Sequence, residues 1–168
     1  MQGLTIRNEA PGDEGTIRTV VTAAFKDMEH SSQTEAAIVD ALRHAGAMTV
    51  SLVALEGTEL VAHVAFSSVT IDGRDVGWHG LGPVAVRPDR QGAGIGSALI
   101  REGLARLEAL GAKGCVLVGD PEYYGRFGFK ARPDLVYPDL PAEYFQVLPF
   151  GVVVPRGTVA YHAAFAAV

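Results

Sequence analysis

The chain has 168 residues, enough to bury one sizeable core, and its 48% hydrophobic and 20% charged content is that of a folded globular protein rather than a disordered one. A net charge of -5 gives a duplex-binding role little electrostatic support, and no apolar run approaches the roughly 18 residues of a membrane span. The lone Cys115 excludes an intramolecular disulfide and a multi-cysteine zinc site.

The segment Met1 to Asp13 lacks a basic stretch followed by an apolar core, so no secretory signal is read and a cytoplasmic location is expected. Leu4 to Arg7 reads as a first strand. Gly12 and Asp13 open a helix whose apolar positions are Ile17, Val20, Val21, Ala24 and Phe25. A second helix is predicted from Ser32, where Ser32 and Glu35 have capping-box spacing, to a stop at Gly46. Three strands follow, at 49–55, 60–71 and 76–86. Asp72-Gly73 supplies a hairpin turn between the last two, and such short connections make the three antiparallel.

Gly94 to Leu110 carries apolar residues at helical spacing and ends at Gly111; Lys113 to Val118 is an apolar strand holding Cys115, which reads as a buried thiol. Strand, helix and strand of these lengths form a crossover unit, so the 76–86 and 113–118 strands should run parallel. The fold class is therefore α/β of the α+β kind: a mixed, mostly antiparallel sheet flanked by helices. No repeat or linker interrupts the chain before about residue 131, and residues 1–168 read as one domain. Five prolines from Pro133 to Pro155 make 131–168 read as irregular, with a final strand near 158–162.

The informative segment is Leu81 to Gly96. An apolar strand ends at Val86, Pro88 breaks it, and Gly92, Gly94 and Gly96 lead into the long helix. Glycines let successive amides turn to one point, and the helix adds unpaired N–H groups and the positive end of its dipole. The product is an anion site suited to a pyrophosphate. A Walker loop would need Gly-Lys-Ser/Thr, whereas Gly96 is followed by Ser97-Ala98; a dinucleotide fingerprint would need glycine where Ser97 stands. A strand-to-helix turn without any ligand uses the same glycines.

Gln91-x-x-Gly94-x-Gly96, preceded by Val84-Ala85-Val86-x-Pro88, resembles the acetyl-CoA motif R/Q-x-x-G-x-G/A of the GNAT-type N-acetyltransferase superfamily. The likeness in element order runs from about Leu4 to Phe129, and the run Gly119-Asp120-Pro121-Glu122-Tyr123-Tyr124-Gly125-Arg126-Phe127-Gly128-Phe129 resembles a bacterial subgroup of predicted N-acetyltransferases. The resemblance implies acetyl-CoA as co-substrate. Backbone of Val84, Ala85 and Val86 would pair with the pantetheine arm, and Gln91, Gly92, Ala93, Gly94, Ile95, Gly96 and Ser97 would hold the pyrophosphate. The Cys115 strand would splay away to form the other wall of the cleft.

Acyl transfer from a thioester to an amine needs a proton removed from the amine, a donor for the oxyanion and a donor for the departing thiolate. Tyr124 matches the tyrosine of the family's Y-x-x-x-G-F pattern; it is the candidate general acid and a cofactor contact, since a phenol with a pKa of about 10 is protonated at neutral pH. Tyr123, one residue earlier, is expected to be structural. His79 is the first candidate base and His63 the second, each with the alternative of a structural histidine; family members also use a glutamate or a water chain. A backbone amide near Val86 is the expected oxyanion donor. His30 and His44 are expected on solvated surface, and the scattered histidines imply no metal site.

The expected reaction is acetyl transfer from acetyl-CoA to a primary amine of a small molecule or peptide, by direct attack in a ternary complex. A non-catalytic acyl-CoA-binding sensor and, more distantly, a nucleotide-binding domain share parts of the pattern. A homodimer is the family-based expectation, and neither nucleic acid nor membrane is an expected partner.

Overall fold

The structure is a computed structural model that describes residues 3–28, 31–138 and 140–166; His30 lies outside the described residues. In chain order the strands and helices are β1 (Leu4–Asn8), α1 (Glu14–Phe25), α2 (Glu35–His44), β2 (Met48–Glu56), β3 (Glu59–Ser68), β4 (Thr70–Ile71) and β5 (Trp78–Val86). They continue with α3 (Ile95–Ala109), β6 (Gly114–Val118), α4 (Pro121–Tyr124), β7 (Leu135–Val136), β8 (Phe145–Pro149) and β9 (Gly157–Ala160).

Six strands make the main sheet in the order β1-β2-β3-β5-β6-β8. Every neighbouring pair is antiparallel except β5–β6, which is parallel, as the helical crossover between them requires. Alternation along the strands sends side chains to two faces. On one, Leu52, Val64, Phe66 and Leu117 pack against Leu99, Ile100 and Leu107 of α3. On the other, Val53 and Ala85 meet Ile17, Val20 and Val21 of α1 and Val39 of α2. Each fully buried aliphatic side chain of α3 contributes about 1.5–3 kcal/mol of transfer free energy. Gly103 lets that helix approach the sheet, because a Cβ there would run into the Phe66 ring.

Three sequence expectations change. The second helix starts at Glu35 rather than Ser32, and no capping box forms: Gln33 takes a positive φ of 63°, Ser31 instead of Ser32 donates to the Glu35 carboxylate at 2.7 Å, and Ser32 is hydrogen-bonded to Thr34. The predicted 60–71 strand breaks after Ser68. The Asp72-Gly73 turn does form, with φ of 51° and 79°, but Thr70 and Ile71 leave the main sheet to pair with Ala160 and Val159.

The tail departs most from expectation. Residues 145–149 are strand β8, antiparallel to β6 and completing the main sheet, while β4, β9 and β7 form a second sheet of three strands. The final strand ends at Ala160, and His162 instead accepts the Ala164 N–H through Nδ1. Prolines bracket β8 without entering its ladder interior, so their density marks its borders rather than an absence of structure.

Candidate active site

The site begins where two parallel strands part. β5 pairs with β6 only from Trp78 to Gly80, opposite Gly114 to Val116. Beyond that point β5 stays with β3, through Val84↔Val64, Ala85↔His63 and Val86↔Ala62, while β6 stays with β8, through Leu117↔Gln146 and Val118↔Phe145. A wedge therefore opens between Leu81 and Leu117. Along it, the β5 edge that faces away from β3 has no ladder partner over Val84 to Val86 among the described residues. Ala85 is buried toward α1, and Val84 and Val86 pack on the α3 side, so this stretch turns main chain rather than side chains toward the wedge.

Above the open end sits the glycine loop. Pro88–Arg90 form one 3-10 turn, Gly92 and Gly94 adopt φ of 82° and 86°, and Gly94 is the N-cap of α3. Among the described residues no side chain caps this helix, which leaves its first amides free to serve as donors. Gln91, expected among the pyrophosphate contacts, turns its side chain back: Nε2 donates to Val86 O at 3.0 Å and ties the loop to the end of β5. Val86, Arg90, Gln91, Gly92, Gly94, Ile95, Gly96 and Ser97 line a cavity of about 330 Å³ together with Tyr123 and Arg126. Ala93, at the exposed crest of the turn, is not among its walls.

The opposite wall belongs to α4. Asp120 caps this helix by accepting the Glu122 N–H at 2.9 Å, with Pro121 at its first position. Tyr123, read as structural from the sequence, shares a hydrogen bond of 3.0 Å between its hydroxyl and Ser97 Oγ. The Arg126 guanidinium lies 4.4 Å from the Tyr123 ring centroid, its Nε donates to Tyr123 O, and among the described residues no carboxylate is paired with it. A cation is thus pinned beside the loop amides. Neither residue could have been picked by motif spacing; the signal is an unpaired arginine three residues beyond an aromatic one.

Tyr124 does not line the loop cavity. Its ring lies against Gly119 at the exit of β6, 4.9 Å from the Tyr123 ring centroid and 6.4 Å from that of Phe129. Burial, with smaller effects of Tyr123 and Asp120, pushes its phenol up to about 12, so the hydroxyl keeps its proton at neutral pH. Cys115 is completely buried in the α3-side core, and burial pushes its thiol well above the usual range, which leaves it protonated and inaccessible as an acyl carrier.

The structure does not bring either histidine to the loop. His79 stands on the part of β5 still paired on both edges, in register with Cys115 and Ser68, five residues before Val84. It is buried, and burial lowers its pKa against the opposing pull of Asp75, so it is neutral. His63 is fully buried in a separate network. Ser51 Oγ donates to Glu9 at 2.6 Å, so His63 Nε2 donates to Ser51 Oγ at 2.8 Å. Burial lowers its pKa and outweighs Glu9. His44 is exposed at the end of α2, as expected. Among the described residues no cluster of His, Cys, Asp and Glu could hold a metal ion, and no helix is long and apolar enough to cross a membrane.

Comparison with known proteins gives one consistent answer. Residues 5–132 match a family model described as an acetyltransferase (GNAT) domain. The chain is 37% identical over 128 residues to the uncharacterized N-acetyltransferase YhbS of Escherichia coli K12, covering 76% of this chain and 74% of that protein. A crystal structure of a GNAT family acetyltransferase from Brucella melitensis in complex with acetyl-CoA superposes with a TM-score of 0.88 at 54% identity, over 98% of this chain and 99% of that one. The crystal structure of E. coli YhbS in complex with CoA superposes with a TM-score of 0.84 at 34% identity, covering 97% and 92% of the two chains.

Proposed function

The chain belongs to the GNAT acetyltransferase family, and from that premise we propose that it transfers the acetyl group of acetyl-CoA directly to a primary amine of a small molecule or peptide, within a ternary complex. The observation that carries this reading is the parting of β5 and β6 beneath an uncapped helix N-terminus. A pantetheine arm added to the free edge at Val84 to Val86 would have its pyrophosphate at the amides of Gly92 to Ser97, and its thioester would then point down into the wedge. The Brucella and E. coli relatives, solved in complex with acetyl-CoA and with CoA, support acetyl-CoA as the ligand.

In this reading the deprotonated amine attacks the thioester carbonyl, and the oxyanion is met by a main-chain N–H of β5 near Val86. As the tetrahedral intermediate collapses, the C–S bond breaks and the Tyr124 hydroxyl donates to the leaving thiolate. Water then restores the phenol's proton. Direct attack fits the burial of Cys115, the lone cysteine of the chain. The assignment uses no side-chain base: His79 lies at the closed end of the strand pair and His63 is committed to Ser51 and Glu9, so the amine's proton leaves to solvent. Arg126 flanks the pyrophosphate amides and offsets its charge, while Arg90 in the same lining is ion-paired with Glu56.

The test is mass spectrometry on a panel of primary amines and amino-terminal peptides incubated with acetyl-CoA, alongside calorimetry with CoA. The expected result is CoA uptake and a mass gain of one acetyl group on at least one amine. CoA uptake without transfer to any member would overturn the amine assignment, and acetylated protein trapped before acceptor is added would overturn direct attack.

A further inference from the structure

Gln146 is a fully buried amide at the second position of β8, where the neighbouring ladder positions are apolar. It stands opposite Leu117 of β6, which packs into the core under α3. Its Nε2 donates to Gly119 O at 2.9 Å, while its Oε1 has no hydrogen-bond partner among the described residues. Burying an amide with its oxygen unpaired is costly, and a leucine or methionine would fill the same volume without that cost. What the amide adds is its grip on Gly119.

That grip is half of a clamp. Gly119 N–H donates to Tyr144 O at 2.9 Å, so both main-chain polar groups of Gly119 are held from the β8 side, one by Tyr144 at its threshold and one by Gln146. The Tyr124 ring rests on the residue so held: a Cβ at position 119 would stand 2.5 Å from its Cε2 and 2.9 Å from its Cδ2. Tyr124 N–H donates in turn to Asp120 O at 3.0 Å, in the next peptide along. The plane of the Gly119 peptide therefore sets the floor under the ring and the start of the helix that carries it.

With Tyr124 read as the donor to the departing thiolate, we propose that Gln146 is a positioning residue: by fixing the Gly119 carbonyl it holds the Tyr124 ring where its hydroxyl meets the cofactor sulfur. It touches neither cofactor nor amine and acts only through Tyr124. A glutamine on an edge strand more than twenty residues downstream thus sets the strength of a hydrogen bond at the cleft.

The experiment compares binding of CoA and desulfo-CoA by calorimetry between about pH 6.5 and 9.5, spanning the ordinary thiol range near 8.5. The ratio of the two affinities reads the preference for thiolate and needs no amine. In the wild type this ratio rises with pH. Tyr124→Phe should reduce the rise by about tenfold or more, the scale of one hydrogen bond to a charged atom. Gln146→Leu should reduce it by several-fold to about tenfold with desulfo-CoA affinity unchanged, and should add nothing beyond twofold in the Tyr124→Phe background. A Gln146→Leu protein with the wild-type rise, or one whose loss multiplies that of Tyr124→Phe, overturns the proposal.

Should Gln146→Leu not fold, Gly119→Ala keeps Gln146 and pushes a methyl group into the ring. It too should lose the thiolate preference, and retaining it would overturn the proposal. If Tyr124→Phe itself leaves the rise intact, the donor role of Tyr124 falls and takes that of Gln146 with it. If the wild type binds neither ligand, the acetyl-CoA reading is what fails.

Discussion

The two ends of β5 stand in opposite settings, one paired on both edges and the other on one. At the lower end, Trp78 to Gly80 pair with β6, His79 and Gly80 pair with β3 on the other edge, and Trp78 is 1% exposed, its ring so close to Gly114 that a Cβ there would collide with it. At the upper end, Val84 to Val86 keep only the β3 partner, and the main chain that β6 would have satisfied faces the wedge. The same strand is core at one end and open edge at the other. An unpaired sheet edge is ordinarily a liability; here it is bounded by the glycine loop and α4, and it is the length of cofactor that would complete it.

Trp78→Ala probes the closed end and should give the largest effect. Emptying that site should cost about 3–5 kcal/mol of stability in urea unfolding, while the folded fraction binds CoA within about twofold of wild type. A specific loss of CoA binding there would erase the distinction between the two ends. Tyr124→Phe works at the open end and should do the reverse: kcat lower by about ten- to a thousandfold, with the thermal midpoint unchanged. Wild-type turnover with chemistry limiting would remove Tyr124 from the mechanism.

Gly94→Val tests the loop. A β-branched residue at a φ of 86° is strained by about 1–3 kcal/mol, so CoA affinity should fall by roughly tenfold or more with little change in the sheet. The pH dependence of stability belongs to the closed and buried histidines. Burial holds His63 and His79 below their unfolded value near 6.5, so the unfolded chain binds more protons on acidification. Stability should be fully present above about pH 6.5 and decline as pH falls below it, by up to about 1.4 kcal/mol per pH unit for each histidine. His63→Asn should flatten that decline in urea titrations at pH 7.5 and 5.5, taken as about one unit either side of the midpoint; an unchanged slope would show that His63 is charged in the fold. Arg126→Ala should have the smallest effect, a few-fold weaker CoA binding that becomes less sensitive to salt. Equal weakening of pantetheine, which has no pyrophosphate, would mean that Arg126 acts through Tyr123 alone.

The legibility of this molecule follows the range of the forces involved. Helix α3 and the glycines before it were readable because period and backbone freedom are local properties: Leu99, Ile100 and Leu107 repeat on one face, and Gly92 and Gly94 take the left-handed conformations their type permits. The parallel pairing of β5 with β6 was readable too, since the length of the crossover decides it. Strand β8 was not. The alternation in Phe145-Gln146-Val147 is only three residues long, all three are buried, and the surrounding prolines mask it. The failed capping box at Ser32 is the reverse error, a correct spacing whose backbone was taken by the Gln33 turn instead.

By its residues alone, this chain determined a glycine-led start to a long helix and a strand leading to it, because backbone freedom and helix period are set within a dozen neighbouring residues. The tertiary structure alone decided where β5 and β6 part, that Tyr123 and Arg126 stand over the loop, that His79 lies away from it, and that Gln146 reaches Gly119 across twenty-seven positions. Those contacts depend on cross-strand register between distant segments, and register is fixed by the packing of the whole sheet rather than by any local pattern.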